Sequence, residues 1–454
     1  MKERSTVVVI DGGGRGAALV HKYSQSPYVE NIVAIPGNDF MQVNSGKEVQ
    51  THPELKTTDI QEILAICQRR NADLVDVAQD NAIAAGLVNR LIEAGIPVVG
   101  PTQEAGEIES SKAFSRKFLE SLHIPQPEFK IFTNPQDGIN YLNSHKNQSW
   151  FVKASGLAEG KGALPAKSNK EAIERIRELG RFGSASSAYL LEEWLCGENG
   201  EPTEEFSAFA ASDGQEFKIL GYAQDHKRVF DNDEGENTGG MGCSSPPLVI
   251  DQNIENQIQN IFATTINGLR QVGRPYKGVL YLGGMIAQSR GESKVYVIEF
   301  NARWGDPEAQ VIVPSIQNDF VELSEAIIYQ ELCRLNVQTD QKTRVAVAGT
   351  AKGYPNNYAA VKGKMIYGLE DAMRTRGVTV YGAGIKRQNN DWVVNGGRVI
   401  YAVGEGKDVL EARKRSYKAM EEISIEDESL HYRTDIGSRD VKRMSQVVYE
   451  RTSR

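Results

Sequence analysis

The stretch that most narrows the fold lies at the start of the chain. Thr6–Ile10 is a β-branched run that stops at Asp11-Gly12-Gly13-Gly14-Arg15-Gly16, and a helical pattern then continues through Val20. Strand, glycine turn and helix in that order point to a βα unit. The pattern recurs. Ile32–Ile35 reads as a strand, Asp59–Arg70 as a helix with Ile60, Ile63, Leu64 and Cys67 on one face, Leu74–Val77 as a strand, Ala82–Ala94 as a helix and Pro97–Val99 as a strand. Short strands alternating with helices require a parallel sheet covered on both faces. The alternation ends near Pro101–Gly106.

Beyond it the grammar changes. A helix is expected at Ser111–Leu122, and Pro125 and Pro127 interrupt the chain before a strand at Trp150–Ala154. Strands then dominate, at Tyr189–Glu192, Phe206–Ala211, Lys218–Gln224, Gly278–Ile286 and Val295–Phe300, before an apolar helix at Val321–Leu332. From Arg344 onward short strands return at Val345–Thr350, Val378–Tyr381 and Arg398–Val403, followed by a helix at Asp408–Ile423 and, after Arg439, a charged helix or tail. At 454 residues the chain has room for about three domains.

Composition serves mainly to exclude. With 40% hydrophobic and 25% charged residues the chain is ordinary globular protein, and no apolar run approaches a membrane span. The 52 basic and 60 acidic residues leave a formal charge of −8, which argues against a nucleic-acid binder. Cys67, Cys196, Cys243 and Cys333 are scattered, so neither a zinc site nor a disulfide framework is expected, and a reducing cytoplasm fits.

Five motifs can carry chemistry. The Asp11–Gly16 turn allows an anion to approach backbone N–H groups at a helix N-terminus, although such turns also serve packing alone. Lys153 at a strand end, followed by a glycine loop carrying Lys161 and Gly162, suits a polyphosphate, with a solvated turn as the plain alternative. Leu190-Leu191-Glu192-Glu193-Trp194-Leu195 reads either as a half-exposed strand or as a hinge lining a base, with Glu205 able to accept from ribose hydroxyls. Gln224-Asp225-His226-Lys227-Arg228 precedes Asn237-Thr238-Gly239-Gly240-Met241-Gly242, mixing both charges with a glycine loop; no proton-transfer role is assigned to His226. The most specific is Glu299-Phe300-Asn301-Ala302-Arg303-Trp304-Gly305-Asp306-Pro307-Glu308. Strand periodicity puts Glu299, Asn301 and Arg303 on one face, offering hard oxygen ligands for a phosphate-bridging cation beside a guanidinium that can hold a transferring phosphoryl group.

In this order the motifs resemble the ATP-grasp carboxylate–amine ligases, and most closely the phosphoribosylamine–glycine ligase (glycinamide ribonucleotide synthetase) family. Asn395-Gly396-Gly397-Arg398, Asp435-Ile436-Gly437 with Arg439, Gly37-Asn38 after Pro36, and Ser111-Lys112-Ala113-Phe114 are also similar to that family, so the resemblance covers nearly the whole chain. It implies an α/β and α+β multidomain fold: a Rossmann-like, parallel α/β preATP-grasp domain at 1–110, an ATP-grasp domain of two lobes at 111–335 with a mobile lobe at about 125–195, and a small α+β C-terminal domain at 336–454. It implies ATP with Mg²⁺ or Mn²⁺, glycine and 5-phosphoribosylamine as small-molecule substrates, no nucleic-acid or membrane partner, and a monomer or weak dimer in the cytoplasm.

Site roles follow residue by residue from the resemblance. Glu299 and Asn301 are expected to bind the metal. Lys112, Lys153, Lys161, Gly162, Glu192, Glu193, Leu195, Glu205, Asn237, Gly239 and Gly240 are expected around ATP. Arg303, Lys227, Arg228 and Asp306 are expected at the reacting groups, and Gly13, Gly14, Arg15, Asn38, Asp80, Asp225, Glu308 and Arg398 around the acceptor and glycine. The chain departs from the family pattern in three N-terminal or loop positions: Gly16-Ala17-Ala18 replaces a Glu–His-bearing turn, Asp80 stands in an unusual loop, and Ser155 replaces an aspartate. An insertion also lengthens the hairpin around 199–203. These changes leave open a related ligase with another amine or amino acid, and, less favoured, a non-catalytic nucleotide-binding module.

Overall fold

The computed structural model describes residues 5–158, 161–197, 200, 203–289 and 291–452, with side chains of the last helix described to Ser445. The 199–203 insertion and the middle of the 155–162 loop lie partly outside the described residues.

The N-terminal segment forms β1 (Ser5–Ile10), α1 (Gly14–Ser24), β2 (Val29–Ala34), β3 (Glu48–Thr51), α2 (Ile60–Arg69), β4 (Leu74–Val77), α3 (Asp80–Ala84), α4 (Leu87–Glu93), β5 (Val98–Val99) and α5 (Gln103–Ser110). Among the described residues its sheet has five parallel strands in the order β3-β2-β1-β4-β5. Val7, Val8, Val9 and Ile10 are fully buried, as a strand covered on both faces demands. The strand order reverses between β1 and β4, so the loops at Asp11–Gly13 and Ala78–Gln79 open at the topological switch point, where α/β sheets bind ligands. One expectation is corrected here. The single helix at 82–94 is two, because Gly86 sits at φ +85° between α3 and α4; helical spacing of apolar residues continues across such a break and does not reveal it.

After α6 (Lys112–Ser121) a second sheet is built from β6 (Phe129–Phe132), β7 (Trp150–Ala154), β8 (Ala163–Ala166) and β9 (Tyr189–Glu193), with α7 (Pro135–Ser144) and α8 (Asn169–Glu178) packed on it. Its order is β6-β9-β7-β8, and it has its own core of Leu142, Trp150, Val152, Leu164, Ile176 and Leu191.

The rest of the chain supplies β10 (Glu204–Asp213), β11 (Phe217–Asp225), the hairpin β12 (Arg228–Phe230) and β13 (Glu234–Asn237), β14 (Gly242–Ser245), α9 (Gln252–Gln271), β15 (Lys277–Ser289), β16 (Glu292–Asn301), α10 (Ala309–Ile312) and α11 (Phe320–Ile328). It continues with β17 (Thr343–Ala351), β18 (Ile366–Tyr367), α12 (Leu369–Arg374), β19 (Val378–Gly382), β20 (Ile385–Gln388), β21 (Asp391–Val394), β22 (Arg398–Gly406), α13 (Val409–Glu421), β23 (Ser424–Ile425), β24 (Leu430–His431) and α14 (Ser438–Thr452).

Among the described residues, nine of these strands form one antiparallel sheet, β16-β15-β10-β11-β14-β17-β22-β19, with β24 beside β17. The central and C-terminal strands are therefore hydrogen-bonded into one surface. The seam is β14 against β17, where Gly242, at φ +143°, lies so close to Ala346 O that a Cβ would sit 2.3 Å from it. Glycine at that position lets the two halves join. Among the described residues no helix is long and apolar enough to cross a membrane.

Candidate active site

The N-terminus of α6 faces the loop that leaves β7. Lys112 N–H donates to Ser155 O (2.8 Å), and Ala113 N–H donates to Ser155 Oγ (3.0 Å). Lys112 Nζ lies 3.4 Å from Gly156 O. Lys153 is buried and its Nζ is 2.5 Å from Glu192 Oε2. Lys161 is exposed on the same loop, whose Gly162 O accepts from Ala154 N–H.

The two acids of β9 separate by strand alternation. Glu193 faces outward beside Trp194, whose ring stacks on Phe151 at 4.7 Å, and Leu195 is half-buried next to it. Glu192 turns inward, 2% exposed. Arg116 grips it with Nε at 2.7 Å and Nη2 at 2.8 Å, and also donates to the carbonyls of Val297 and Ile298 on β16. Burial alone would raise the Glu192 carboxyl; Arg116 and Lys153 instead hold it down at about 2. The expected contact of Glu192 with nucleotide is thus revised: its oxygens are taken up by two cations, and it orients Lys153.

β16 carries the central face. Asn301 Nδ2 lies 3.5 Å from Glu299 Oε1, and Asn301 Oδ1 accepts from Arg303 Nη2 at 3.2 Å, so the three side chains are neighbours as expected, although the strand ends at Asn301 and Arg303 lies in the bend beyond it. Burial works against the charged Glu299, yet Lys227, Lys112 and Lys153 keep its carboxyl below the ordinary range. Lys227 is itself paired with Glu205 on the neighbouring β10. Among the described residues no cluster of three or more His, Cys, Asp or Glu could hold a metal unaided. A carboxylate next to an asparagine amide supplies the hard oxygens that suit Mg²⁺, which takes one or two protein oxygens and fills its shell with phosphate and water; here the amide turns its nitrogen to Glu299 and its oxygen to Arg303.

Arg303 donates through Nη1 to Trp304 O (3.1 Å) and pairs through Nη2 with Glu109 Oε1 (3.0 Å). Its Nε is buried without a partner among the described residues. Burial pushes the Glu109 carboxyl up, against the pull of Arg303. Nearby, Glu308 Oε1 accepts from Ser207 Oγ (2.9 Å) and Tyr281 OH (3.0 Å). Asp225 is buried; desolvation and Glu308 push its carboxyl up, and its Oδ1 is likewise unpartnered among the described residues. The Gly240 backbone runs so close that a Cβ would lie 3.0 Å from Asp225 Oδ1.

Two expectations change, for Arg15, expected around the acceptor and glycine, and for Asp306, expected at the reacting groups. Arg15 is not a free cation: it is 6% exposed, paired with Asp11 at 2.7 Å, and donates to Trp304 O at 2.8 Å. Asp306 is a junction: it accepts from Arg15 N–H (3.2 Å), Gln310 Nε2 (2.8 Å) and Tyr401 OH (2.6 Å), and pairs with Arg398 at 3.5 Å. These partners occupy both oxygens, which fits a part in docking the N-terminal, central and C-terminal segments better than direct contact with the reacting groups. Gly13 N–H and Gly16 N–H both donate to Asp11 Oδ1, and Gly14 is buried against Tyr401. Arg398 also donates to Gly239 O and to Asp306 O (2.7 Å). Asn38 Nδ2 bridges Gly12 O (3.0 Å) and Gly382 O (3.2 Å), Asp80 begins α3, and Arg228 donates to Gly235 O (2.6 Å) within the hairpin that ends at the exposed Asn237.

His226 is buried; its Nε2 accepts from Gly437 N–H (3.1 Å), and burial with Arg439 and Arg433 holds it neutral, near 3. It anchors the Asp225–Arg228 loop to the Asp435-Ile436-Gly437 segment. Sequence reasoning missed Glu109, Arg116, Ser207, Tyr281 and Tyr401. Glu109 and Arg116 flank the Ser111–Phe114 motif, but nothing local marks their distant partners.

Three family models match consecutive stretches: the phosphoribosylglycinamide synthetase N domain over residues 5–109, its ATP-grasp (A) domain over 110–309 and its C domain over 344–439. A phosphoribosylamine–glycine ligase of Vibrio cholerae is 37% identical over 441 residues, spanning 96% of this chain and 99% of its own length. The bifunctional purine biosynthetic protein purD of Dictyostelium discoideum is 34% identical over 97% of this chain, which spans 55% of that longer protein. The solved phosphoribosylamine–glycine ligase of Thermotoga maritima superposes with a TM-score of 0.78 at 27% identity, covering 95% of this chain and 100% of that one.

Proposed function

Since the chain belongs to the phosphoribosylglycinamide synthetase family, we propose that it joins glycine to 5-phosphoribosylamine at the expense of ATP, forming glycinamide ribonucleotide, ADP and phosphate. The observation that carries this reading is the Glu299–Asn301–Arg303 face, set within the field of Lys112, Lys153 and Lys227. A carboxylate is a poor acyl donor. A glycine carboxylate oxygen therefore attacks the γ-phosphorus of ATP, the bond to the β,γ-bridging oxygen breaks, and ADP leaves. The amine nitrogen of phosphoribosylamine then attacks the glycyl carbonyl carbon, the bond to the phosphate oxygen breaks, and the nitrogen loses a proton to solvent.

Catalysis of this kind is positioning and charge neutralisation. Lys112, Lys153 and Lys161 hold the phosphates, with Glu193 and Leu195 at the base and Glu205 and Lys227 toward the sugar and γ-phosphate. Glu299 and Asn301 hold the divalent cation, Mg²⁺ or Mn²⁺, which when bound neutralises phosphate charge. The Arg303 guanidinium suits an oxygen of the acyl phosphate, and the Asp225 carboxyl, whose Oδ1 is unpartnered among the described residues, suits the glycine ammonium. Arg398, Asn38 and the Gly12–Gly14 turn border the acceptor at the switch point. For this reaction the chain divides into an acceptor unit near 1–110, a two-lobed nucleotide unit near 111–335 and a C-terminal unit that completes the acceptor side.

The test is ADP release dependent on glycine and on phosphoribosylamine generated in situ, with product identified by mass spectrometry. Glu299→Gln should lower kcat about 100-fold or more with the fold intact. Folded wild-type protein that yields no glycinamide ribonucleotide refutes the reading.

A further inference from the structure

Glu109 has no assigned part in the reaction, and its placement is costly. It sits in the last turn of α5, where a carboxylate meets the negative end of the helix dipole, and it is only 8% exposed. Its two oxygens are divided between successive residues. Oε2 accepts from Ala302 N–H (2.6 Å), and Oε1 pairs with Arg303 Nη2 (3.0 Å). A single carboxylate therefore clamps both the backbone that follows β16 and the side chain that emerges from it.

The hydrogen count on Arg303 shows what the clamp does. A guanidinium has five N–H donors in a rigid plane. Nη2 uses its two on Asn301 Oδ1 and Glu109, and Nη1 uses one on Trp304 O. With both ends of the fork fixed, the plane cannot turn, and Nε–H stays buried and unpaired among the described residues. Glu299 and Asp80 are further carboxylates whose charge reaches Arg303. An unclamped guanidinium would be drawn to them.

We infer that Glu109 is a positioning residue, which fixes the Arg303 guanidinium beside the Glu299–Asn301 pair where the phosphoryl group reacts and keeps it off Glu299. The inference rests on the ligase reaction proposed above.

The experiment compares wild type, Glu109→Gln, Arg303→Lys and the double variant in the glycine-dependent ligase assay. Glu109→Gln keeps shape and an acceptor for Ala302 N–H but loses the charge. It should lower kcat by about 100-fold, the scale of a small misplacement at a reacting centre, while the KM for ATP moves less than about threefold. In the Arg303→Lys background the same change should cost less than about threefold, because the group it positions is gone. Equal, multiplying losses in the two backgrounds, or a raised KM for ATP with kcat unchanged, overturns the inference. If Glu109→Gln does not fold, Glu109→Asp serves: it keeps the charge but withdraws it by one methylene, and a folded Glu109→Asp enzyme with wild-type kcat overturns the inference. Absence of product from wild type defeats the ligase reading itself; an active wild type with an unimpaired Glu109→Gln variant defeats only the role of Glu109.

Discussion

Replacing Glu192 with glutamine removes the carboxylate that two buried cations share. In the native protein this side chain receives Arg116 Nε at 2.7 Å, Arg116 Nη2 at 2.8 Å and Lys153 Nζ at 2.5 Å, while only 2% exposed. The amide oxygen of glutamine, placed at Oε2, can still accept from Arg116 Nη2 and Lys153 Nζ, but it carries no charge and the NH₂ then points at Arg116 Nε. Removing one partner of a buried pair costs about 3–5 kcal/mol, mostly because the remaining charge is left desolvated. The defect is local to the sheet that contains Trp150 and against which Trp194 stacks through Phe151, so two of the chain's four tryptophans report on it in fluorescence-monitored urea unfolding. A second readout is functional. Lys153 loses its anchor, and a weakened charge-assisted contact to phosphate should raise the KM for ATP about tenfold, equivalent to about 1.4 kcal/mol. Arg116→Met in the same background removes the surplus cation and should recover part of the stability. If Glu192→Gln unfolds within about 1 kcal/mol of wild type and its KM for ATP is unchanged, the network is not what holds Lys153.

Two further outcomes follow from buried contacts elsewhere. Asp76, on β4, accepts from Tyr23 OH (2.9 Å), and burial raises its carboxyl from 3.8 to about 7. The folded chain therefore keeps a proton that the unfolded chain releases between about pH 4 and 7, so stability falls as pH rises through that window, by at most about 4 kcal/mol, and is flat above it. Asp76→Asn should remove this dependence and raise the melting temperature at pH 8 relative to wild type; calorimetry showing the same loss at pH 5 and pH 8 would contradict it. Gly14→Ala places a Cβ 2.4 Å from Tyr401 Cε2 and 2.5 Å from Gln310 Nε2, which should cost about 1–3 kcal/mol and weaken the acceptor side, seen as a lower melting temperature and a raised KM for the amine; a wild-type KM and melting temperature would show that the Asp306–Tyr401 junction yields.

Much of the N-terminal unit was legible because its physics is local. A strand covered on both faces must be uniformly apolar, and Val7–Ile10 is; a βα turn needs glycine, and Gly12–Gly14 supply it. The shared face of Glu299 and Asn301 was legible for the same reason, since strand alternation is set by the backbone, whereas Arg303 reaches it from the bend beyond the strand. The family resemblance named most of the other residues around the site. It did not say which of them are committed to one another: Arg15 and Asp306 carry the right chemistry for substrate but are engaged with Asp11, Trp304 O, Tyr401 and Gln310.

Sequence by itself therefore determined the strand–helix alternation, the order of the motifs and the chemistry they can offer, because these depend on neighbours within a few residues. Tertiary structure alone decided how the halves join through β14 and β17, which cations share Glu192, and that Glu109 reaches Arg303 across 194 positions. Pairings of that kind lower the free energy only once burial has removed the competing water, and burial is a property of the whole fold.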